Sequence, residues 1–365
     1  MKSFRRRGVR GRSGSSSPHT TYDLPHTVLA IDIGGTHFRL ALFDHQGRRL
    51  VLSEGDTLHS GGRVWMLERI RELGRTLLDR PDRRVGACGI SFGGPVDFQH
   101  QRVTSVHSPG WRNFSLAKWA STNLNLPCRI DNDANAGALG EFRYGAGRGT
   151  ESLVYVTLST GVGAGLILNG KTYRGKDGLA GELGHIPISD TGTPCSCGAV
   201  GCLESLCSGR AIGERGEKLG WRRTDGFTYG HATLWPKAFG RRAMACPYSG
   251  EQSEGITAKA IVQAASRGDT TALHIVREAA HWLARGLLTV IRILNPDKIV
   301  LGGGLTLAGQ VLLGPLHQSL AELASPTIGH STEIVVAELG TYSPLYGAAA
   351  MALDLLSETC NLQPI

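Results

Sequence analysis

Residues 28–44 read VLAIDIGGTHFRLALFD, and residues 152–171 read SLVYVTLSTGVGAGLILNGK. Each is an apolar run, a Gly/Thr turn and a second apolar run, the pattern of two strands joined by a tight reversal. Asp44-His45-Gln46-Gly47 makes the next reversal after the first pair. In the first unit the apolar run ends on a carboxylate, Asp32, and glycines follow. Glycines bring backbone N–H groups close to a ligand, and the Thr36 hydroxyl adds a donor, which is how a chain cradles phosphate. Either unit alone also fits an ordinary hairpin. Their recurrence, each opening an α/β half, predicts a duplicated architecture with both hairpins facing one cleft.

Between the two units, Val64, Leu67, Ile70, Leu73 and Leu77 have helical spacing over residues 64–79. VGACGISFGGPVD reads as a strand running into a glycine bend, and SLAKWASTNL as a short helix. PCRIDNDANAGALGEF, residues 127–142, reads as a strand, the tripeptide Asp131-Asn132-Asp133, and an Ala-rich helix. Asp and Asn are favoured helix caps. A helix start at the carboxyl end of a strand is also where open α/β sheets place ligands. Asp131 is therefore expected as the cap and Asp133 as the group facing the cleft. At the positive end of a helix Asp133 is expected to stay near the ordinary carboxylate pKa of about 3.9.

After the second unit comes GELGHIPISDTGTPCSCGAVGCLE, residues 181–204. Cys195, Cys197 and Cys202 form a C-x-C-x4-C pattern behind His185. One imidazole and three thiols are a complete tetrahedral set, which reads as structural zinc. Gly198 and Gly201 let the loop fold back. A disulfide with spare thiols is the alternative, but no secretory signal precedes the loop. Glu182 and Glu204 bracket it, so one metal would stiffen a place where two carboxylates meet a hydroxyl-rich ligand such as a sugar.

Residues 205–219 read as helical. Residues 220–255 are irregular, with Trp221, Tyr229, Trp235, Phe239 and Tyr248 scattered through an insertion of no assigned role. Helices are expected over 256–267 and 270–294, the second stopped by Pro296. DKIVLGGGL is a strand ending in three glycines, able to admit a base or a phosphate. A strand in STEIVVAEL and a helix in SPLYGAAAMALDLL close the chain.

The bulk numbers narrow the classes. With 365 residues, 41% hydrophobic and 19% charged, the chain can bury a sizeable core in one large or two ordinary domains. No apolar run is long enough to span a membrane. Eight cysteines in so long a chain, with no apolar signal core, suit a reducing cytoplasm better than a disulfide scaffold. The net charge of +8 is concentrated at one end: Lys2, Arg5, Arg6, Arg7, Arg10 and Arg12 precede the first acidic residue, Asp23. The rest is nearly neutral, which argues against a broad nucleic-acid face. Residues 1–25 are expected to be a disordered basic tail.

Together these residues resemble the ROK family of repressors and sugar kinases, from Val28 to Leu356. AIDIGGT, IDNDANAGALGEF, STGVGAG and GELGH with C-x-C-x4-C-x-E carry the resemblance. It implies the fold of actin, hexokinase and the heat-shock ATPases: two ribonuclease-H-like α/β domains around an ATP cleft. These would be 26–143, rejoined by a helix at 344–358, and 144–343 with the zinc loop. By resemblance Asp133 is the catalytic base. Asn132, Gly94, Glu182, His185 and Glu204 are sugar contacts. His185, Cys195, Cys197 and Cys202 are zinc ligands. Asp32, Gly34, Gly35 and Thr36 form the first phosphate site, with Mg2+ held near Asp32; Thr160, Gly161 and Gly163 form the second. Gly302, Gly303 and Gly304 form the nucleotide loop. His37 stands where a Lys is common, and Gly93 where a Pro is common. The zinc loop argues against the polyphosphate-using relatives.

The implied activity is ATP-dependent phosphorylation of the 6-hydroxyl of an aldohexose, glucose first, in a homodimer. An N-acetylglucosamine or N-acetylmannosamine kinase would use the same core residues. A sugar-responsive repressor would carry a helix-turn-helix domain before the first strand, where about 27 residues stand here. A nucleotide-switched scaffold would have no use for the zinc loop.

Overall fold

The computed structural model describes residues 27–81, 83–105, 109–222, 255–324 and 331–359. The basic tail and nearly all of the insertion lie outside them. At the insertion's edge Trp221 is buried in the core and donates its indole N–H to Asp269.

The first half runs β1 (Thr27–Ile33), β2 (His37–Asp44), β3 (Arg49–Asp56), α1 (Gly62–Leu78), β4 (Val85–Phe92), a small hairpin of β5 (Val96–Asp97) and β6 (Arg102–Val103), α2 (Leu116–Leu124), β7 (Cys128–Asn132) and α3 (Asp133–Tyr144). The second half runs β8 (Leu153–Leu158), β9 (Val162–Leu168), β10 (Lys171–Tyr173), α4 (Leu203–Cys207), α5 (Gly209–Lys218), α6 (Ala258–Ser266), α7 (Thr270–Leu294), β11 (Lys298–Gly302), α8 (Gln310–Leu323), β12 (Glu333–Val336) and α9 (Ser343–Thr359).

The two five-stranded sheets have orders β3-β2-β1-β4-β7 and β10-β9-β8-β11-β12. In each, three antiparallel strands are followed by two that run parallel to the first. The orders match position for position, as the repeated strand–turn–strand units predict. Elements without a clear signal in the sequence include the short β6 as well as β3 and α8. β3 is an edge strand with half-exposed residues throughout, and α8 contains Pro315. The helix expected over 205–219 is two: Ser208 breaks it and caps α5 by accepting from the Ala211 amide.

Strand register places the glycine turns. Asp32 of β1, Ser91 of β4 and Asp131 of β7 lie in one row across the sheet, and Ile33, Phe92 and Asn132 in the next. The Gly34–Thr36 turn, the Gly93-Gly94 bend and Asp133 therefore leave the same edge. In the second sheet Thr157 pairs with Gly302, so the second hairpin turn and Gly303 leave one edge too. The carboxyl ends of parallel strands are where such sheets bind ligands.

Two helices join the halves. α9 packs on α3 and on β1 and β4, while α3 also packs on β8 and β9. The α3–α9 approach depends on Gly347, where a Cβ would sit 1.7 Å from the Ala136 carbonyl oxygen. The connections between the sheets, 145–152 and 337–342, meet at Glu141. Its side chain is fully buried and accepts from the amides of Ala146 (2.9 Å), Glu338 (3.2 Å) and Leu339 (3.0 Å) and from the Ser343 hydroxyl (2.6 Å). The two oxygens of one carboxyl group offer enough lone pairs to accept all of these at once.

Candidate active site

Asn132, not Asp131, caps α3: its side-chain oxygen accepts from the Asn135 amide at 2.8 Å. Asp131 is buried one residue earlier and does different work. One oxygen accepts from the Asn132 amide (2.8 Å) and the Asn135 side chain (3.1 Å). The other meets the Arg174 guanidinium at 2.6 Å. Asp131 is buried at the end of β7 and held by Arg174, which leaves the cap to Asn132. Burial raises the Asp131 carboxyl, against the pull of Arg174.

Asp133 lies at the first turn of α3, partly buried, with one carboxylate oxygen accepting from the Ala134 amide at 2.9 Å. Its pKa is not the ordinary one expected from the helix end. Burial first, then the nearby charge of Asp32, then that of Glu182, push it up to about 7. The positive end of the helix is outweighed by desolvation and by like charge. Three carboxylates from three segments thus share one region, although they lie far apart in sequence. A group poised near 7 suits a general base working at neutral pH.

Asp32 is buried and raised by that burial, opposed by Arg39 and Ser91. Ser91 donates its hydroxyl at 3.0 Å and Arg39 donates at 3.2 Å. Arg39 is the cross-strand partner of Asp32 and also donates to the Thr341 carbonyl at the connection into α9. Gly34 closes the turn by donating to the His37 carbonyl, leaving Gly35, Thr36 and His37 exposed at its tip. His37, in the position where a lysine is common, is paired with Asp56 at 2.8 Å. The Gly93 amide rests on the Ile33 carbonyl, which brings the Gly94 bend against the first turn.

On the other side Thr160 is exposed at the tip of the second hairpin, with Gly161 beside it. The first amides of α5, from Gly209 and Arg210, donate to the Ser159 and Thr160 carbonyls, so the positive end of that helix abuts the turn. Gly163 lies within β9, next to Ala134 and therefore beside Asp133. Gly303 must be glycine: its φ is +85° and a Cβ would meet the Leu158 backbone at 2.4 Å. The structure thus brings the glycine loop 302–304 against the end of β8. Glu204 binds the second hairpin, accepting from the Val162 amide at 3.0 Å and from Arg210 at 3.3 Å.

His185, Cys195, Cys197 and Cys202 offer ligand atoms that all lie within 4.8 Å of one another. The Cys197–Cys202 sulfur separation is 3.7 Å and the Cys195 sulfur to His185 Nδ1 separation is 3.4 Å. Sulfurs bound at about 2.3 Å to one tetrahedral ion stand about 3.8 Å apart, so the set fits zinc. Burial first, then the hydrogen bonds that its S–H donates to Cys197 and Cys195, push the Cys202 thiol up to about 12, and a divalent ion is what would hold it as thiolate. With Nδ1 toward the sulfurs, the His185 Nε2 faces Glu182 at 3.8 Å. One ring therefore connects the cysteine cluster to the carboxylate that acts on Asp133.

Arg39, Ser91, Arg174 and Glu141 carry site contacts that the sequence reading did not single out. Arg39 was findable, since strand alternation places it opposite Asp32. Arg174 was not, because 43 positions separate it from its partner Asp131.

Residues 28–355 match the ROK family. The chain belongs to that family. It is 33% identical over 328 residues to a glucokinase of Thermotoga maritima, covering 89% of this chain and 96% of that protein. A ROK family glucokinase from Streptomyces griseus, solved in complex with glucose and AMPPNP, superposes with a TM-score of 0.72 at 30% identity, covering 90% of this chain and 99% of that one. A ROK hexokinase from Thermus thermophilus superposes with a TM-score of 0.71 at 28% identity, covering 91% and 99%. The chain therefore has the ROK hexokinase fold, within the actin–hexokinase class that the family resemblance implies.

Proposed function

We propose that this ROK protein is an ATP-dependent hexokinase that phosphorylates the 6-hydroxyl of glucose. The observation that carries the reading is Asp133: a carboxyl poised near neutrality, on the sheet edge that also bears the first phosphate turn and the glycine bend. The family membership and the glucokinases among its relatives support the same substrate.

In this reading Asn132 and Glu182 hold the sugar hydroxyls with the free edge of His185, and Gly94 lets the bend approach the ring. Glu204 adds a sugar contact while fixing the second hairpin through Val162. Asp133 accepts the proton of the 6-hydroxyl as its oxygen bonds to the terminal phosphorus of ATP. ADP leaves with the electrons of the broken P–O bond. Gly35, Thr36, Thr160 and Gly161 present the hairpin tips to the phosphates, and Gly302, Gly303 and Gly304 border the nucleoside. Asp32 is the residue that would hold Mg2+ with the phosphates, and the ion would supply neutralisation of charge on the transferring group. Residues 26–143 with 344–358, and 144–343, are proposed as the two lobes. A cytoplasmic homodimer completes the proposal. No helix among the described residues is long and apolar enough to cross a membrane.

Coupled ADP detection over a hexose panel tests the assignment. Turnover is expected on glucose; turnover on an N-acetylhexosamine with none on glucose overturns the sugar.

The pH dependence follows from Asp133. The base must be ionised, so kcat/KM is expected to rise with pH through a midpoint near 7 and then level off. A profile flat from pH 5 to 8 would remove Asp133 from that role.

The cysteine cluster is proposed to hold one structural zinc per chain. Cys197→Ala or Cys202→Ala is expected to lose the metal and to weaken sugar binding by roughly tenfold or more, in the range seen when metal-site partners are lost. ATP binding should change less, because His185 links the cluster to Glu182 and not to the phosphate turns. Elemental analysis finding no zinc in a fully active enzyme counts against the cluster's role.

A further inference from the structure

Arg174 belongs to no motif, yet it sits where the two sugar-side segments meet. It follows β10, in the second half of the chain, and its side chain reaches the first half. Its Nε donates to Asp131 at 2.8 Å and its Nη2 lies 2.6 Å from the same carboxylate oxygen. The guanidinium stacks on the Phe98 ring, 3.6 Å from its centre. The Phe98 loop is itself tied to β7: Gln101 donates to the Phe98 carbonyl and accepts from the Ile130 amide. Asp131 passes the constraint on, through its bonds to the Asn132 amide and the Asn135 side chain. That is the frame from which Asn132 and Asp133 project.

The backbone of Arg174 holds the other segment. Its carbonyl accepts from the Ala180 amide at 3.0 Å, closing a turn that leads through Gly181 to Glu182. Gly181 then accepts from Ala164 of β9. One residue therefore connects the Asn132–Asp133 turn with the Glu182–His185 segment, and the connection is a planar cation held by an ion pair and an aromatic face. Lysine cannot reproduce both contacts.

We propose that Arg174 is a positioning residue that locks the two sugar-contacting segments in register, setting sugar affinity and not nucleotide affinity. The proposal rests on the hexokinase reading above.

Arg174→Met keeps an apolar stem over Phe98 but removes the cation. It is expected to raise the KM for glucose at least tenfold, with the KM for ATP within twofold of wild type. Arg174→Lys is expected to fall between the two. Because Arg174→Met strands the buried Asp131 carboxylate, the double variant Asp131→Asn/Arg174→Met is measured beside it. A merely structural ion pair predicts that removing both charges restores stability and sugar KM together. Positioning predicts that thermal stability returns while the glucose KM stays at least tenfold high; should the single variant not fold, the double variant decides alone. A glucose KM within twofold of wild type, or parallel rises for glucose and ATP, overturns the proposal. Asp133→Asn serves as the control on the reading beneath it. If that variant keeps full turnover, the site assignment fails; if it loses turnover while Arg174→Met leaves glucose KM unchanged, only the positioning role fails.

Discussion

Asp133→Asn is expected to lower kcat by roughly 10²–10⁴-fold, the usual contribution of a general base. Asparagine keeps the size and can still hydrogen-bond a hydroxyl, but it cannot take the proton. Sugar affinity should fall only modestly, since Asn132, Glu182 and Glu204 remain. The same variant has a second signature. Between 3.8, where Asp in an unfolded chain loses its proton, and about 7, where Asp133 does, the folded chain holds a proton that the unfolded chain has released. Stability therefore falls as pH rises across that window. Removing the ionisable group removes the cost of ionising it near Asp32 and Glu182, so Asp133→Asn should melt a few degrees higher than wild type at pH 8 and no higher at pH 4. Turnover within tenfold of wild type, or a lower melting temperature at pH 8, sinks the assignment.

Asp131→Asn does not act as a harmless cap variant beside it. Asp131 is buried against Arg174, and the cap belongs to Asn132. The substitution is expected to loosen the ion pair, in keeping with a buried partner losing its charge.

Glu141→Ala is expected to cost about 3–5 kcal/mol of folding stability, because several buried donors lose their acceptor together. Those donors belong to both connections between the sheets: Ala146 on one, Glu338, Leu339 and Ser343 on the other. For a chain of this size the melting temperature should fall by roughly 4–7 °C. Glu141→Gln should fall between, since its amide group turns a donor toward other donors. Calorimetry placing Glu141→Ala within a degree of wild type would show that the connections hold without it.

Local pattern carried much of this protein. The apolar runs of β1 and β8, each broken by Gly and Thr, disclose a duplicated α/β architecture because strand periodicity and turn chemistry are properties of adjacent residues. The cysteine cluster was legible for the same reason: its ligands lie within 18 positions, from His185 to Cys202. The stop of α7 was legible too, with Asn295 in the left-handed region and Pro296 after it. What pattern could not supply was anything set by burial and by partners distant in sequence. The sequence marks Asp133 as a carboxylate at a helix start, for which a normal pKa is the natural expectation. Only folding brings Asp32 and Glu182 near it and removes enough water to raise it to about 7. Likewise a tripeptide of Asp, Asn and Asp names three possible caps. The tertiary contact with Arg174 draws Asp131 into the interior and leaves the cap to Asn132, because a buried carboxylate takes the strongest donors within reach.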